Sequence, residues 1–478
     1  MTIKIYSVPE EFFFRIHHVR PRFKNDVENV LFYMAKEISR LDELPYGDFK
    51  NILNKVIQQF PGNARKEIKT INNWRTEISA LFGLIQYDGD IAKPSNMAKN
   101  LAAKEDLIEF FRYFLYYFQY PGGHLKPKET MSYLEHGIKF KPAKFIIETL
   151  WEGKKITGKE FGISQAECTH CIFNDLRVTT GKRGPKECAE LIIKNRKENL
   201  DYDSSGDVVR YAGDILDYMT LADLASHKQN NKYYLNNHQT EILKSIVDNN
   251  TFFPPYQSLY NKKNLTTQSI AELSDDWFNY INQKLDSTLF KADILSLFDE
   301  TIQSTIENNE PPNIFIKEIL EKLRGDVTRP KNTKEIGDIG ESIVIEHEKN
   351  RLIKIDASFQ KLIHWIKKIP EALAMGYDIN SLEGVGDTRR CIEVKTTLSM
   401  GKLSSTSFHM TTSEWSAANS LKDAYHIYRL MISRDSISLF IIKDPVHKYK
   451  NDLLEMIPRD GADIRYSDKS GSYEQLHL

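Results

Sequence analysis

At 478 residues, with 41% hydrophobic, 27% charged and 11% aromatic residues, the chain has the composition of a folded protein too long for one ordinary domain. A net charge of -1 excludes coating of nucleic acid by bulk charge, while leaving room for local basic surfaces that contact phosphate. Only 4 cysteines argue against a secreted disulfide framework, and no apolar run approaches the roughly 20 residues that span a bilayer.

The chain opens with MTIKIYSVPEEFFFRIHHVR, which lacks the pattern of a signal peptide, so a cytoplasmic location without a membrane partner is expected. Arg15, Arg20, Arg22 and Lys24 follow as a basic strip that either touches phosphate or is simply solvated. Residues up to about 325 read as mostly helical, with three stretches of similar local order, near 64–120, 140–200 and 205–260. In the first, Trp74, Ile78, Leu81 and Phe82 fall on one helix face, followed by a strand GLIQY, a turn DGD and another helix. In the second, a helix is followed by another that Thr157 and Glu160 would open as a capping box, then a basic tip GKRGPK. The third sets Ala212, Ile215, Met219 and Ala222 on one helix face and continues into an alternating strand around Tyr233 and Leu235. Helix, turn, helix and a two-stranded wing is the winged-helix order used to read DNA, and the rival reading is generic helical subdomains with hairpins. In that frame Arg177, Lys182, Arg183 and Lys186 are the candidates for backbone contacts with DNA.

Cys168, His170 and Cys171, with Cys188 downstream, invite a zinc reading, but a structural site needs a second close pair of ligands. Cys168, Cys171, Ile172 and Leu176 also share a helix face, so a buried core is expected there and no structural zinc.

The charged, proline-containing stretch at 326–335 reads as a linker between a region 1–325 and a domain 336–478. Beyond it come a helix at about 336–353, strands near 376–380, 390–397 and 407–410, and a helix at 412–421 whose capping box is Thr411 with Glu414. Strands near 424–432 and 436–442 follow, while the 25 residues before the first of the strands stay unassigned.

Period-2 alternation puts Cys391, Glu393 and Lys395 on one face of their strand and Ile392 and Val394 on the other. A glutamate and a lysine half buried on a core strand are costly without a purpose. Asp378 ends the preceding strand, and the connection SLEGVGDTRR can fold it back beside Glu393. Two close carboxylates repel unless a cation lies between them, and hard oxygen ligands suit Mg²⁺, with Mn²⁺ as a substitute. Lys395 would orient or deprotonate an attacking water and offset charge in a phosphorane-like transition state. The bland reading of Glu393 and Lys395 is an exposed salt bridge on an edge strand.

These residues, in GYDI…IEVKTT, resemble the PD-(D/E)XK nuclease core, as do GDIGESIVIEHEKNRL before them and FHMTTSEWSAANSLKDAYHIYRL after them, over roughly 335–445. Tyrosine stands where that family often has proline before the aspartate. The resemblance implies an α/β domain with a mixed central sheet, Asp378, Glu393 and the Val394 carbonyl as metal ligands, and Lys395 as a catalytic residue. It also implies a catalytic role for Glu341, which completes or adjusts the metal site, whereas Glu348 reads as part of a solvated helix face.

The amino-terminal half, in ALFGLIQYDGD…LIEFFRYFLYYFQYP…KFKPAKFIIETL, resembles the recognition regions of type IIS restriction endonucleases of the AlwI and FokI kind. The implied protein is a multidomain, Mg²⁺-dependent, sequence-specific restriction endonuclease of a bacterium or archaeon, acting on double-stranded DNA. A transient homodimer would be needed for double-strand cleavage, and a cognate methyltransferase is the expected functional partner. The rivals are a nuclease dependent on methylated DNA, a junction or repair nuclease, and a winged-helix regulator that does not cut.

Overall fold

The computed structural model describes residues 4–290 and 334–477, apart from 18–20, 22, 24–26, 61–62, 105, 205–207, 229, 284–287, 370–374, 385–387, 399–406, 433–436 and 460. The chain divides into two units, Met1–Ala292 and Asp293–Leu478. The linker expected at 326–335 lies outside the described residues up to 333, and Lys334 opens the first described helix of the second unit.

The first unit is mainly helical, with three small sheets among the described residues. Strand β1 (Ile5–Tyr6) runs parallel to β5 (Asp201–Tyr202). Strands β2 (Leu44–Pro45), β3 (Ile85–Asp88) and β4 (Ile91–Pro94) form an antiparallel trio in the order β2-β4-β3. Trp74, Ile78, Leu81 and Phe82 are all buried, as their spacing predicts. The helix Ile68–Thr76 carries the first of them, and a π-helical turn over Glu77–Leu81 delivers the rest to an aromatic core where Phe111 stacks on Tyr218 at 5.6 Å.

The second and third stretches depart from the expected pattern. The helix Pro142–Thr157 runs through Thr157, whose hydroxyl donates back to the Gly153 carbonyl at 2.7 Å, so Thr157 ends a helix and does not start one. Glu160 pairs with Lys154. The capping box lies at Ser164 and Glu167, where a helix from Gln165 passes into a π-helical turn Thr169–Phe173. Between Leu176–Thr179 and Pro185–Lys197 the basic tip is a turn between helices, and no hairpin occurs among the described residues of 140–200. The hairpin of β6 (Ala225–His227) and β7 (Tyr233–Leu235) follows the helix Val208–Leu221, and Ile163 joins it as a bridge to Tyr233. The two stretches therefore share one hairpin. Three-residue strands are not stable alone, and this hairpin is completed by a residue about 70 positions away in the chain.

In the second unit a six-stranded mixed sheet has the order β16-β13-β12-β10-β9-β8. Its strands are β8 (Lys367–Lys368), β9 (Ile379–Leu382), β10 (Arg389–Leu398), β12 (Tyr425–Ile432), β13 (Ile437–Lys443) and β16 (Ser472–Glu474). Strands β10 and β12 are parallel, joined by a crossover through the helix Thr412–Leu421, and the other pairs are antiparallel. Every residue of β12 is buried, as expected for a strand inside the sheet. A second sheet, β11 (Ser407–Met410), β15 (Gly461–Tyr466) and β14 (Leu454–Arg459), packs Phe408, Met410 and Ile464 against Tyr425, Ile427 and Phe440. The 25 unassigned residues supply a 3-10 segment, Ala357–Trp365, capped by Asp356, and then the end strand β8.

The helix Lys334–Ile355 crosses β10 so closely that a Cβ on Gly340 would collide with the Thr396 hydroxyl. Only glycine permits that crossing, which sets the height of Glu341 and Glu348 over the sheet. Gly340→Ala is expected to destabilise the second unit by about 1–3 kcal/mol through overpacking. Thr396→Ala should recover part of the loss. Denaturant midpoints of the two single variants and the double variant check this, and simple additivity would refute the contact.

Candidate active site

Asp378 enters β9 between two neighbours. Its N–H donates to Ile392 O at 2.9 Å, and its carbonyl accepts Ile369 N–H at 2.7 Å. Its carboxylate Oδ2 accepts the Val394 N–H at 2.8 Å, so the side chain is fixed against β10. The turn that delivers it uses Gly376, at φ 72°, where a Cβ would sit 2.6 Å from Ser413 O. The Gly376 carbonyl in turn accepts the Tyr425 hydroxyl at 2.9 Å.

Glu393 lies on the buried centre of β10, 4% exposed. The Lys395 ammonium is 2.7 Å from Glu393 Oε1 and 2.8 Å from Glu414 Oε2. Burial pushes the Glu393 carboxyl well above the usual range, with Asp378 and Glu414 adding repulsion that Lys395 only partly offsets. Burial also raises Asp378, against the Val394 hydrogen bond and Lys395. Burial would lower Lys395, yet the charges of Glu393 and Glu414 outweigh it and push the ammonium up. The Glu393–Lys395 ion pair lies on a strand inside the sheet and not on an exposed edge, with Glu393 buried and Lys395 half-buried.

Glu341 reaches the same place from the opening helix. Its Oε2 is 2.6 Å from Lys368 Nζ, which also bonds Asp338 Oδ1 at 2.5 Å. Burial raises the Glu341 carboxyl, and Asp378 adds repulsion against the pull of Lys368. Two carboxylates on neighbouring strands, with a third coupled to them electrostatically, fit a hard cation that takes few protein oxygens and keeps its waters. No group of three or more His, Cys, Asp or Glu side chains is already arranged around a metal position among the described residues.

Glu348 is not on a solvated face. Its side chain has 0% exposure and accepts Arg351 Nε at 2.9 Å and NH2 at 2.8 Å, Ser381 Oγ at 2.6 Å and Tyr428 OH at 2.7 Å. It lies seven residues from Glu341 on the same helix. Sequence reading missed Glu414 as a partner of Lys395, since its capping-box spacing with Thr411 explained it fully. It also missed Lys368, which lay in the unassigned stretch.

In the first unit Asp175 is fully buried and binds two of the candidate DNA contacts. Arg177 reaches it through Nε at 2.9 Å and NH2 at 2.7 Å, and Arg183 through NH1 at 2.7 Å. Arg177 also lies 4.3 Å over the Phe12 ring. Lys182 and Lys186 are exposed on the turn and the helix start. Arg15 stands 5.4 Å over the Tyr211 ring, while Arg20, Arg22 and Lys24 lie outside the described residues. Cys168, Cys171 and Cys188 are buried in the helical core, and burial pushes the Cys171 thiol up to about 12.

Over residues 6–278, more than half of the chain, the sequence matches the family described as "Restriction endonuclease BpuJI - N terminal". Residues 340–442 match the family "Protein NO VEIN, C-terminal". Among solved structures, the BpuJ1 endonuclease binding domain in complex with pyrene- and phenanthrene-modified DNA is 23% identical, with a TM-score of 0.51 over 58% of this chain and 100% of that one. That is a likeness of fold. The restriction endonuclease FokI bound to DNA is 11% identical over 82% of this chain and 81% of its own, at a TM-score of 0.18, too low to indicate a shared fold. No curated protein matches.

Glu348 and Glu383 give the second unit a pH dependence of known sign. Burial pushes both carboxyls up, but Arg351 and Arg390 outweigh it at Glu348, and Lys443 and Arg390 hold Glu383 down to about 2. Carboxyls depressed by folding stabilise fully above the ordinary glutamate value of about 4.3 and lose that contribution as pH falls toward 2. The melting temperature of the second unit is therefore expected to fall as pH drops across that window, and Glu383→Gln should flatten the curve. Superimposable curves would sink the assignment.

Proposed function

The chain belongs to the restriction endonuclease BpuJI N-terminal family, and from that premise we propose that it is a Mg²⁺-dependent, site-specific DNA endonuclease of type IIS. The first unit would find the site through a winged-helix arrangement, and the second, with a PD-(D/E)XK core, would hydrolyse the phosphodiester at a distance from the bases read. The observation that carries this reading is the meeting of Asp378, Glu393 and Lys395 on adjacent strands of one sheet, with Asp378 fixed by the Val394 N–H.

Asp378 and Glu393, with the Val394 carbonyl, would hold Mg²⁺, or Mn²⁺ in its place. That ion supplies a Lewis acid for a phosphate oxygen and a more acidic bound water. Glu393 and Glu414 favour the charged form of Lys395. Its work would be to orient or deprotonate the attacking water and to offset negative charge on the reacting phosphate. Glu414 anchors Lys395 to the start of the helix Thr412–Leu421, and Glu341 adjusts the field on Asp378. One such centre cuts one strand, so double-strand cleavage calls for two copies or two successive nicks, and a cognate methyltransferase would protect host DNA. No helix among the described residues is long and apolar enough to cross a membrane.

Purified protein with methyl-free and methylated plasmids, in Mg²⁺ or EDTA, tests the reading. Discrete fragments that need Mg²⁺ are expected, with run-off sequencing giving a constant offset. Asp378→Ala should abolish cutting, and Lys395→Ala should slow it roughly 10²–10³-fold. Cutting of methylated DNA alone would replace the reading with a modification-dependent nuclease, and site-specific binding without cutting would point to a regulator.

Glu414→Gln should slow cleavage by about 10–100-fold, as loss of a group that orients an active side chain does. Single-turnover rates measure this, and an unchanged rate would remove Glu414 from the site.

A further inference from the structure

The stretch from Ala357 to Pro370 contains Lys361, His364, Lys367 and Lys368 and no acidic residue. All four are exposed. Lys361 and His364 are three apart on the 3-10 segment, and side chains at that spacing eclipse one another on one face. Lys367 and Lys368 form β8, the end strand of the six-stranded sheet. Lys367 is paired with Asn380 and Lys368 with Ile379, while the next residue, Ile369, donates its N–H to Asp378 O at 2.7 Å. The cationic strip thus runs up to the backbone of Asp378 itself.

Lys368 is engaged by Asp338 and Glu341. Lys361 and Lys367 have no ion-pair partner among the described residues. Lysines on an open sheet edge also keep edges from pairing with other chains. That role does not account for Lys361, which is on the helical segment before the strand. A pair of exposed ammonium groups without ion-pair partners, on the approach to buried carboxylates, is the chemistry of a polyanion contact. It attracts phosphate by charge and carries no sequence information.

We propose that Lys361 and Lys367 form a surface that holds the sugar-phosphate backbone of duplex DNA and leads it to Asp378 and Glu393. The surface deepens the endonuclease reading and rests on it for its purpose. It gives the second unit its own sequence-independent grip on DNA.

The test is equilibrium binding of the full chain to a random-sequence duplex in EDTA across a salt series, with and without Lys361→Gln and Lys367→Gln together. The plot of log affinity against log salt should become shallower by about 2 in the double variant, close to one unit for each lost phosphate contact. Lys361→Arg with Lys367→Arg should keep the wild-type slope, which separates charge from folding. An unchanged slope in the glutamine variant, or no binding of random duplex by the wild type, overturns the proposal. Mg²⁺-dependent plasmid cutting is read separately. A wild type that binds with the expected slope yet cuts nothing would fail the endonuclease reading and leave the surface standing.

Discussion

The second unit is organised around one buried negative charge. Glu348 has no exposure, and a carboxylate there is tolerable only if every oxygen is satisfied. Its partners come from its own helix at Arg351, from β9 at Ser381, from β10 at Arg390 and from β12 at Tyr428. Arg351 also donates to the Glu383 carbonyl at 3.1 Å, and Arg390 pairs with the Glu383 carboxylate. These bonds hold the helix and three strands in one register. Removing one partner of such a buried set typically costs about 3–5 kcal/mol, because the remaining charge is stranded.

That rigid frame lets the sheet tolerate a second, less balanced group of charges a short way along the same strands. Asp378, Glu393 and Glu341 all have carboxyls raised first by burial, with Asp378 adding repulsion at the other two and Glu414 at Asp378 and Glu393. Glu348 and Glu383 have theirs lowered by arginine and lysine. The contrast separates carboxylates that hold the fold from carboxylates kept short of positive charge. A site built to receive a cation has the second character, and groups with perturbed protonation cluster at such places. Lys395 stands between the two classes, with Glu414 balancing it from the crossover helix.

The first unit shows how a charged residue can be spent on architecture. Asp175 is buried and draws in Arg177 and Arg183, and Arg177 packs over Phe12 near the start of the chain. The bridge from Phe13 to Asp175 ties the same two segments through the backbone. The exposed lysines of that turn and the helix after it, Lys182 and Lys186, are left facing solvent.

What the sequence determined by itself is local. Period-2 alternation located β10 within a residue at each end and put Glu393 and Lys395 on one face, and the Thr411 and Glu414 spacing located the helix that follows. The glycines at 376 and 340 are also written in the chain, although their reasons lie in Ser413 and Thr396. Tertiary structure decided the rest. It buried Glu348, turned Glu414 toward Lys395, brought Lys368 to Glu341 and made two stretches share one hairpin through Ile163 and Tyr233. Helix and strand periods report which side of an element is apolar. They are silent on which distant charge will meet it, because that pairing depends on where the chain returns.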